Sequence, residues 1–251
     1  MATVDQELLF AIRGIEVLLE SGVGVAEAMK HVAEEDYGDL SAVTSYVGAL
    51  ASSTRGVYSR SRTPSSPSGD NTLEYSTLAS TGNSLDFGDR TEAVYDVGAL
   101  SNNIRGIIGG GYGPANSNVI DYVTISSTGN ALDFGDLTAA RWGPAPMASS
   151  TRGVFGGGID PNALNLIDYI TIASTGNAND FGDISQHATG RNTGISNSVR
   201  GVAGIYLTPA YQNTWQYITI QSMGNAQDFG ESAVDNSGLR GGCSDSHGGL
   251  G

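Results

Sequence analysis

Three sets of side chains in this chain have the types and spacing to do chemistry. The first is a carboxylate pair within Asp-Phe-Gly-Asp, found at Asp86 and Asp89, Asp133 and Asp136, and Asp180 and Asp183, with Asp228 and Glu231 in a fourth copy. Hard oxygen ligands suit Ca²⁺, so each pair is a candidate calcium site at a sheet edge. The competing reading is structural: the carboxylates bond backbone amides in a turn while the phenylalanine enters the core. The second set is one arginine per copy, Arg55, Arg105, Arg152 and Arg200. These could line a channel and hold an anion, or each could bridge to a repeated acid such as Asp121 or Asp168, and the regular spacing favours the bridge. The third set occupies the stretches that vary between copies: Tyr112, Asn116, Asn162, Tyr206, Tyr211 and Trp215. Aromatic and amide side chains of this kind stack on sugars or press against a protein surface.

Other chemistries fit poorly. A protein kinase uses Asp-Phe-Gly once, beside a catalytic loop and a strand lysine, and this chain has neither. The glycines from Gly109 to Gly113 could suggest a phosphate loop, but the residues after Pro114 lead to another strand rather than opening a helix. His31, His187 and His247 occupy unrelated places, with no spacing that makes a triad or a metal site. Cys243 stands alone, which excludes an internal disulfide and reads as a small buried residue. Paired carboxylates for glycoside hydrolysis stay open, because strands bring distant acids together; acids outside the repeats would be the better candidates. A net charge of −14 with one lysine, Lys30, argues against nucleic acid or an anionic membrane as partner. No apolar run approaches the length of a membrane helix, and no basic-then-apolar leader opens the sequence, which predicts synthesis in the cytoplasm without a signal peptide.

The element that positions all three sets is a repeat. Tyrosines fall at 75, 122, 169 and 217 and phenylalanines at 87, 134, 181 and 229, a period of 47, 47 and 48 residues. Each copy runs from a Ser-Ser-Thr-Arg-Gly segment through a variable loop to an alternating Ile-Asp-Tyr-Ile-Thr-Ile run. A Ser-Thr-Gly-Asn turn and Asp-Phe-Gly-Asp follow. The alternation of β-branched and aromatic residues predicts strands, and the Gly-Asn pair predicts a hairpin. The expectation is three to four short antiparallel strands per copy. Tyr75, Phe87, Tyr122, Phe134, Tyr169, Phe181, Tyr217 and Phe229 are then the repeated core. The glycine runs at 109–111 and 156–158 suit an inner strand where backbones crowd. The Arg-Gly element recurs in degenerate form at Ser244 to Gly249, with His247 in the arginine's place, so four full copies are followed by a partial fifth.

Residues 1–47 differ. They carry nine acids and two bases, half of the net charge in a fifth of the chain. Apolar residues at Leu8, Ile12, Ile15 and Leu19, then Val25, Met29 and Val32, predict a helical hairpin interrupted at Gly22 and Gly24. A unit this small needs a partner for its apolar stripe. From Ala11 to Ser41 it resembles the F domain of type II secretion and archaeal-filament assembly proteins, which implies a docking role.

Short antiparallel sheets repeated at this period suggest the blades of a propeller. With paired glycines after one strand and an aromatic in the next, residues 48–251 resemble kelch-type repeats. More closely, Ser-Thr-Arg-Gly-Val-Phe-Gly-Gly-Gly, Ile-Asp-Tyr-Ile-Thr-Ile-Ala-Ser-Thr-Gly-Asn and Asp-Phe-Gly-Asp are similar to the kelch-like repeats of predicted structural and tail-appendage proteins of marine bacteriophages. The expected fold is mainly β: a kelch-like β-propeller of four or five blades, closed or nearly so, behind an N-terminal helical hairpin. An open stack or a ring shared between subunits is the alternative. The resemblance implies a non-enzymatic structural or adhesion component of a virion or extracellular appendage. Its expected partners are other structural proteins, copies of itself in an oligomer or larger assembly, or a surface glycan; it implies no cofactor. The alternatives are a carbohydrate-active enzyme on a propeller and a scaffold that packs only against itself.

Overall fold

A computed structural model of the chain describes residues 48–60, 69–206, 212–236 and 242–244. The chain separates into two units, residues 1–44 and 45–251, and the described residues belong to the second. The expected helical hairpin with His31 lies outside the described residues, as do Tyr211 and His247.

Among the described residues the second unit is built of strands alone, in four antiparallel meanders that follow the repeat. The first is β1 (Gly48–Ala51), β2 (Arg55–Ser59), β3 (Thr72–Thr77) and β4 (Leu85–Asp89). The second is β5 (Gly98–Ser101), β6 (Arg105–Tyr112), β7 (Asn116–Thr124) and β8 (Leu132–Asp136). The third runs through β9 (Ala145–Ala148), β10 (Arg152–Gly156), a short β11 (Ile159–Asp160) and β12 (Asn162–Thr171) into β13 (Asn179–Ser196). The long β13 serves two meanders, since its first part pairs with β12 and its last part with β14 (Arg200–Tyr206). The fourth continues through β15 (Gln212–Thr219) to β16 (Gln227–Asn236).

The second and third strands of each meander bury apolar side chains because each sheet packs against the next. Leu50, Val57, Leu73 and Phe87 of the first repeat share a core with Ile108, Val123, Ile125 and Ala131 of the second. The second and third repeats pair in the same way around Ile107, Ile120, Phe134, Phe155 and Ile172. The third and fourth do so around Val154, Ile167, Phe181, Ile218 and Ile220.

Asp-Phe-Gly is a β-bulge in every repeat. Leu73 pairs with Gly88 and Glu74 with Asp86, so Phe87 is the extra residue; the same shift recurs at Phe134, Phe181 and Phe229. The bulge re-aims the phenylalanine while the glycine takes φ between 134° and 143°. Phe87, Phe134 and Phe181 are thereby buried edge-on against Tyr75, Tyr122 and Tyr169, with centroids 6.0 Å apart. Phe229 keeps the contact to Tyr217 but is 52% exposed, so the expectation of four buried phenylalanines is corrected for the last. Among the described residues no following sheet covers it.

The Ser-Thr-Gly-Asn stretch forms no tight hairpin. Seven residues, Leu78 to Ser84, separate β3 from β4, and in later repeats this connection clasps the preceding repeat. Gly129 N donates to Phe87 O at 2.7 Å and Ala131 N to Asp89 O at 2.8 Å, while Asn130 Oδ1 accepts the amide of Asp89. The same bonds join Gly176, Asn177 and Ala178 to Phe134 and Asp136, and Gly224, Asn225 and Ala226 to Phe181 and Asp183. A Cβ on Gly88, Gly135 or Gly182 would lie 2.5 to 2.6 Å from the clasping backbone, so glycine is required there by close approach as well as by φ.

The repeated arginines do not bridge to Asp121 or Asp168. Arg55, Arg105, Arg152 and Arg200 lie 4.3 to 4.5 Å over Tyr75, Tyr122, Tyr169 and Tyr217. The first three also donate across the interface, to the carbonyls of Ile125, Ile172 and Ile220 at 2.8 to 2.9 Å. The planar, weakly hydrated guanidinium satisfies both contacts at once, which explains why each is arginine in a chain with a single lysine.

Candidate functional site

The acids expected to meet those arginines are engaged elsewhere. Asp121 accepts from the amide and hydroxyl of Thr91 at 3.0 and 2.7 Å, and Asp168 from those of Thr138 at 2.9 and 2.6 Å. These bonds pin the linker that leaves each repeat onto the sheet of the next; Gln216 does the same with Ser185. Two further arginines enter here. Arg141, fully buried, donates to Asp168 Oδ2 at 2.9 Å. Arg90, in the equivalent linker, caps the carbonyls of Asp70 and Val94. Burial pulls Arg90 down to about 10 against the attraction of Asp121, Asp70 and Glu92, and pulls Arg141 down against Asp168. Desolvation raises Asp121 despite the bonds from Thr91. The space lined by Arg90, Glu92, Ser117 and Asp121 measures about 10 Å³, room for roughly one water molecule. It is a packed structural joint.

The carboxylate pairs are spread along the bulges. Asp180 and Asp228 accept the amides of Gly182 and Gly230, so the turn bond comes from the first acid of the motif. The second position, Asp89, Asp136 and Asp183, is held through its backbone amide and carbonyl by the clasp. Among the described residues no three His, Cys, Asp or Glu side chains converge to hold a metal ion, and Asp86, Asp89, Asp133, Asp136, Asp180 and Asp183 gain no geometric support as calcium ligands.

The variable loops give a more specific arrangement. The β6–β7 hairpin presents Tyr112 at its tip, 40% exposed, and the linker before β5 lies against it: Tyr95 and Tyr112 exchange backbone bonds of 2.7 and 2.8 Å. One repeat later, Trp142 forms the same bridge with Ile159. The rings consequently meet. Tyr95 and Tyr112 are 5.3 Å apart edge to face, and Tyr112 and Trp142 6.3 Å. Beside them Asn116 Nδ2 donates to Asp160 Oδ1 at 2.7 Å, tying the loop of the second repeat to that of the third. Asn116 Oδ1 is buried without a partner. Asn162, across the β11–β12 turn from Asp160, is exposed.

Tyr112, Asn116 and Asn162 are therefore brought to one edge of the second and third repeats. Trp215 lies within β15 at the sheet position of Leu73, Ile120 and Ile167, opposite Gly204 and Gly230. Tyr206 closes β14. Tyr95, Trp142 and Asp160 join the edge without having been singled out from the sequence. The signal was present: Tyr95 and Trp142 stand one 47-residue period apart, aromatic at the same place in the repeat. Cys243, expected to be buried, is exposed. Compared with models of known protein families and with curated protein sequences, the chain matches none of them.

Proposed function

We propose that this protein is a non-enzymatic structural or adhesion component of a particle or surface appendage. Its kelch-like blades are a frame, and its loop edge is the recognition surface. The observation that carries this reading is the ledge of Tyr95, Tyr112 and Trp142 beside Asn116 and Asp160. Three rings held edge to face, flanked by an amide and a carboxylate, offer flat apolar faces and hydrogen-bonding groups at low entropic cost, the combination that receives a sugar ring. A second support is where the repeated chemistry goes. Arg55, Arg105 and Arg152, the acids Asp121 and Asp168, and the first three Asp-Phe-Gly bulges are occupied in joints between repeats, which leaves the varied loops for contact with a partner.

The test is binding of the full chain to a panel of immobilised surface polysaccharides, with Tyr112→Ala and Trp142→Ala alongside. Both variants should lose binding at least tenfold with little change in melting temperature, Tyr112 the more cleanly because it is the more exposed. Release of new reducing ends from any of these polysaccharides would instead establish the carbohydrate-active enzyme.

A further inference from the structure

The joint between repeats has two halves, and each end of the array keeps one half unused. The receiving half is the Asp-Phe-Gly bulge, the Arg-over-Tyr stack and an apolar residue of the first strand. The docking half is the Ser-Thr-Gly-Asn clasp with the apolar residue that precedes it. At the three internal joints the halves meet. Ile125, Ile172 and Ile220 are fully buried, and Leu50, Leu100 and Met147 are nearly so. In the fourth repeat the receiving half is complete but open. Phe229 and Ile195 are exposed by 52% and 37%; among the described residues Arg200 lies over Tyr217 without an Ile carbonyl to bind, and Gly230 has nothing within 4 Å of its Cβ position. In the first repeat the docking half is intact and open. Ser80, Thr81, Gly82 and Asn83 repeat the clasp sequence, and Leu78, in the place of Ile125, is 57% exposed.

We propose that the fourth repeat of one copy receives the first repeat of a second copy, in the register used internally, so that the protein joins head to tail. The occupant is fixed by the chain itself, which covers this same surface three times with this same segment. In the joint Gly82 N donates to Phe229 O of the neighbouring copy, Arg200 donates to Leu78 O, and Leu78 seals Phe229 and Ile195. The contact is heterologous, using different patches on the two copies, so it adds subunits in succession until a ring closes or, where the rotation does not close, extends into a filament.

Two features make it weaker than the internal joints. Ser76 and Ser84 stand where later repeats carry Val123, Ile170 and Ile218, and Ala131, Ala178 and Ala226, so the docking face is more polar. Residues 242–244 also hold the inner place that β1 of the second copy would take. Ser196 donates through its amide to Cys243 O and through Oγ to Ser244 Oγ, both at 3.0 Å, where β5 lies beside β1 internally. Docking must displace this stretch.

Sedimentation equilibrium of the full chain from micromolar to near-millimolar concentration tests the proposal. The average mass should climb above that of the monomer, and a chain ending at residue 241 should associate at lower concentration. Phe229→Asp and Leu78→Asp should each hold the chain monomeric while lowering the melting temperature by only a few degrees, because about half of each side chain is already exposed. Mixed together, the two variants should give one-to-one dimers and nothing larger, since one sound head and one sound tail remain. The proposal is overturned if wild type and the 241-residue chain both stay monomeric, or if the mixture does. It is equally overturned if Phe229→Asp alone lowers the melting temperature sharply, which would mean that Phe229 is covered within its own chain. The ledge variants touch neither end, so either proposal can fail without the other.

Discussion

Truncation of the four bulge phenylalanines tests the repeat joint directly, because one residue type in one local motif occupies two environments. Phe134 and Phe181 are 2% and 3% exposed and lie at the centre of the joints between the second and third and the third and fourth repeats. Phe→Ala at either removes an aromatic side chain from a packed site that cannot collapse, because the bulge and its clasp fix the backbone on one side and the next sheet fixes the other. The cost should be about 3 to 5 kcal/mol, including roughly 0.5 to 1.5 kcal/mol for the lost edge-to-face contact with Tyr122 or Tyr169. Against a total stability of about 5 to 15 kcal/mol this is a large share. Phe229→Ala removes the same atoms from a half-exposed site with no second wall, so no cavity forms and the transfer loss is about half, roughly 1 kcal/mol. Urea unfolding of dilute protein, followed by tryptophan fluorescence with Trp142 and Trp215 as reporters, gives all three values. Equal midpoint shifts for Phe134→Ala and Phe229→Ala would refute the reasoning, as they would mean that the fourth bulge is covered like the others.

Two further perturbations probe the other joints. Arg105→Lys forfeits the fit over Tyr122 and the bond to Ile172 O, and should cost roughly 1 to 3 kcal/mol, whereas Arg200→Lys forfeits only a stack and should cost less than about 1 kcal/mol in the same denaturation assay. Asp121 has its carboxyl raised above its ordinary 3.8, chiefly by desolvation, so folding favours its protonated form. Its contribution to stability should therefore fall as pH rises through the window just above 3.8. In urea midpoints measured across that range, the difference between wild type and Asp121→Asn should slope downward with pH; an upward slope would mean that the Thr91 bonds outweigh burial.

The parts of this fold legible in the sequence are those that rest on local periodicity. The alternation around Tyr122 or Tyr169 specifies a half-buried strand whatever its neighbours do, and Phe134 recurring at a fixed distance marks a core position. The arginines show where such reasoning stops. Arg105 and Tyr122 are brought together diagonally across β6 and β7, where Ile107 is the residue directly opposite the tyrosine, and the carbonyl that Arg105 binds lies 67 residues away. No sequence spacing displays that carbonyl, so the nearest repeated acid looked the better partner. The linker arginines were hidden for the same reason, because Arg141 reads as an ordinary charge until Asp168 arrives from the next repeat. The bulge at Phe134 was invisible because one skipped residue leaves the repeat period unchanged.

The clasp explains why the chain's most repeated text is also its least informative about a ligand. A joint that works between any two successive repeats must present the same donor at one edge and the same acceptor at the other, so Asn130, Asn177 and Asn225 are held to one identity by their neighbours. The loops beyond β6 and β10 carry no such duty. Between Tyr112 and Asn116 the chain turns through Gly113, Pro114 and Ala115, and between Asp160 and Asn162 through Pro161 alone, two lengths and two sequences at the same place in the repeat. Where the joints impose nothing, one edge can gather Tyr95, Tyr112 and Trp142 into a surface that occurs once among the described residues. On the function proposed above, recognition would be asymmetric along the array, centred on the boundary between the second and third repeats.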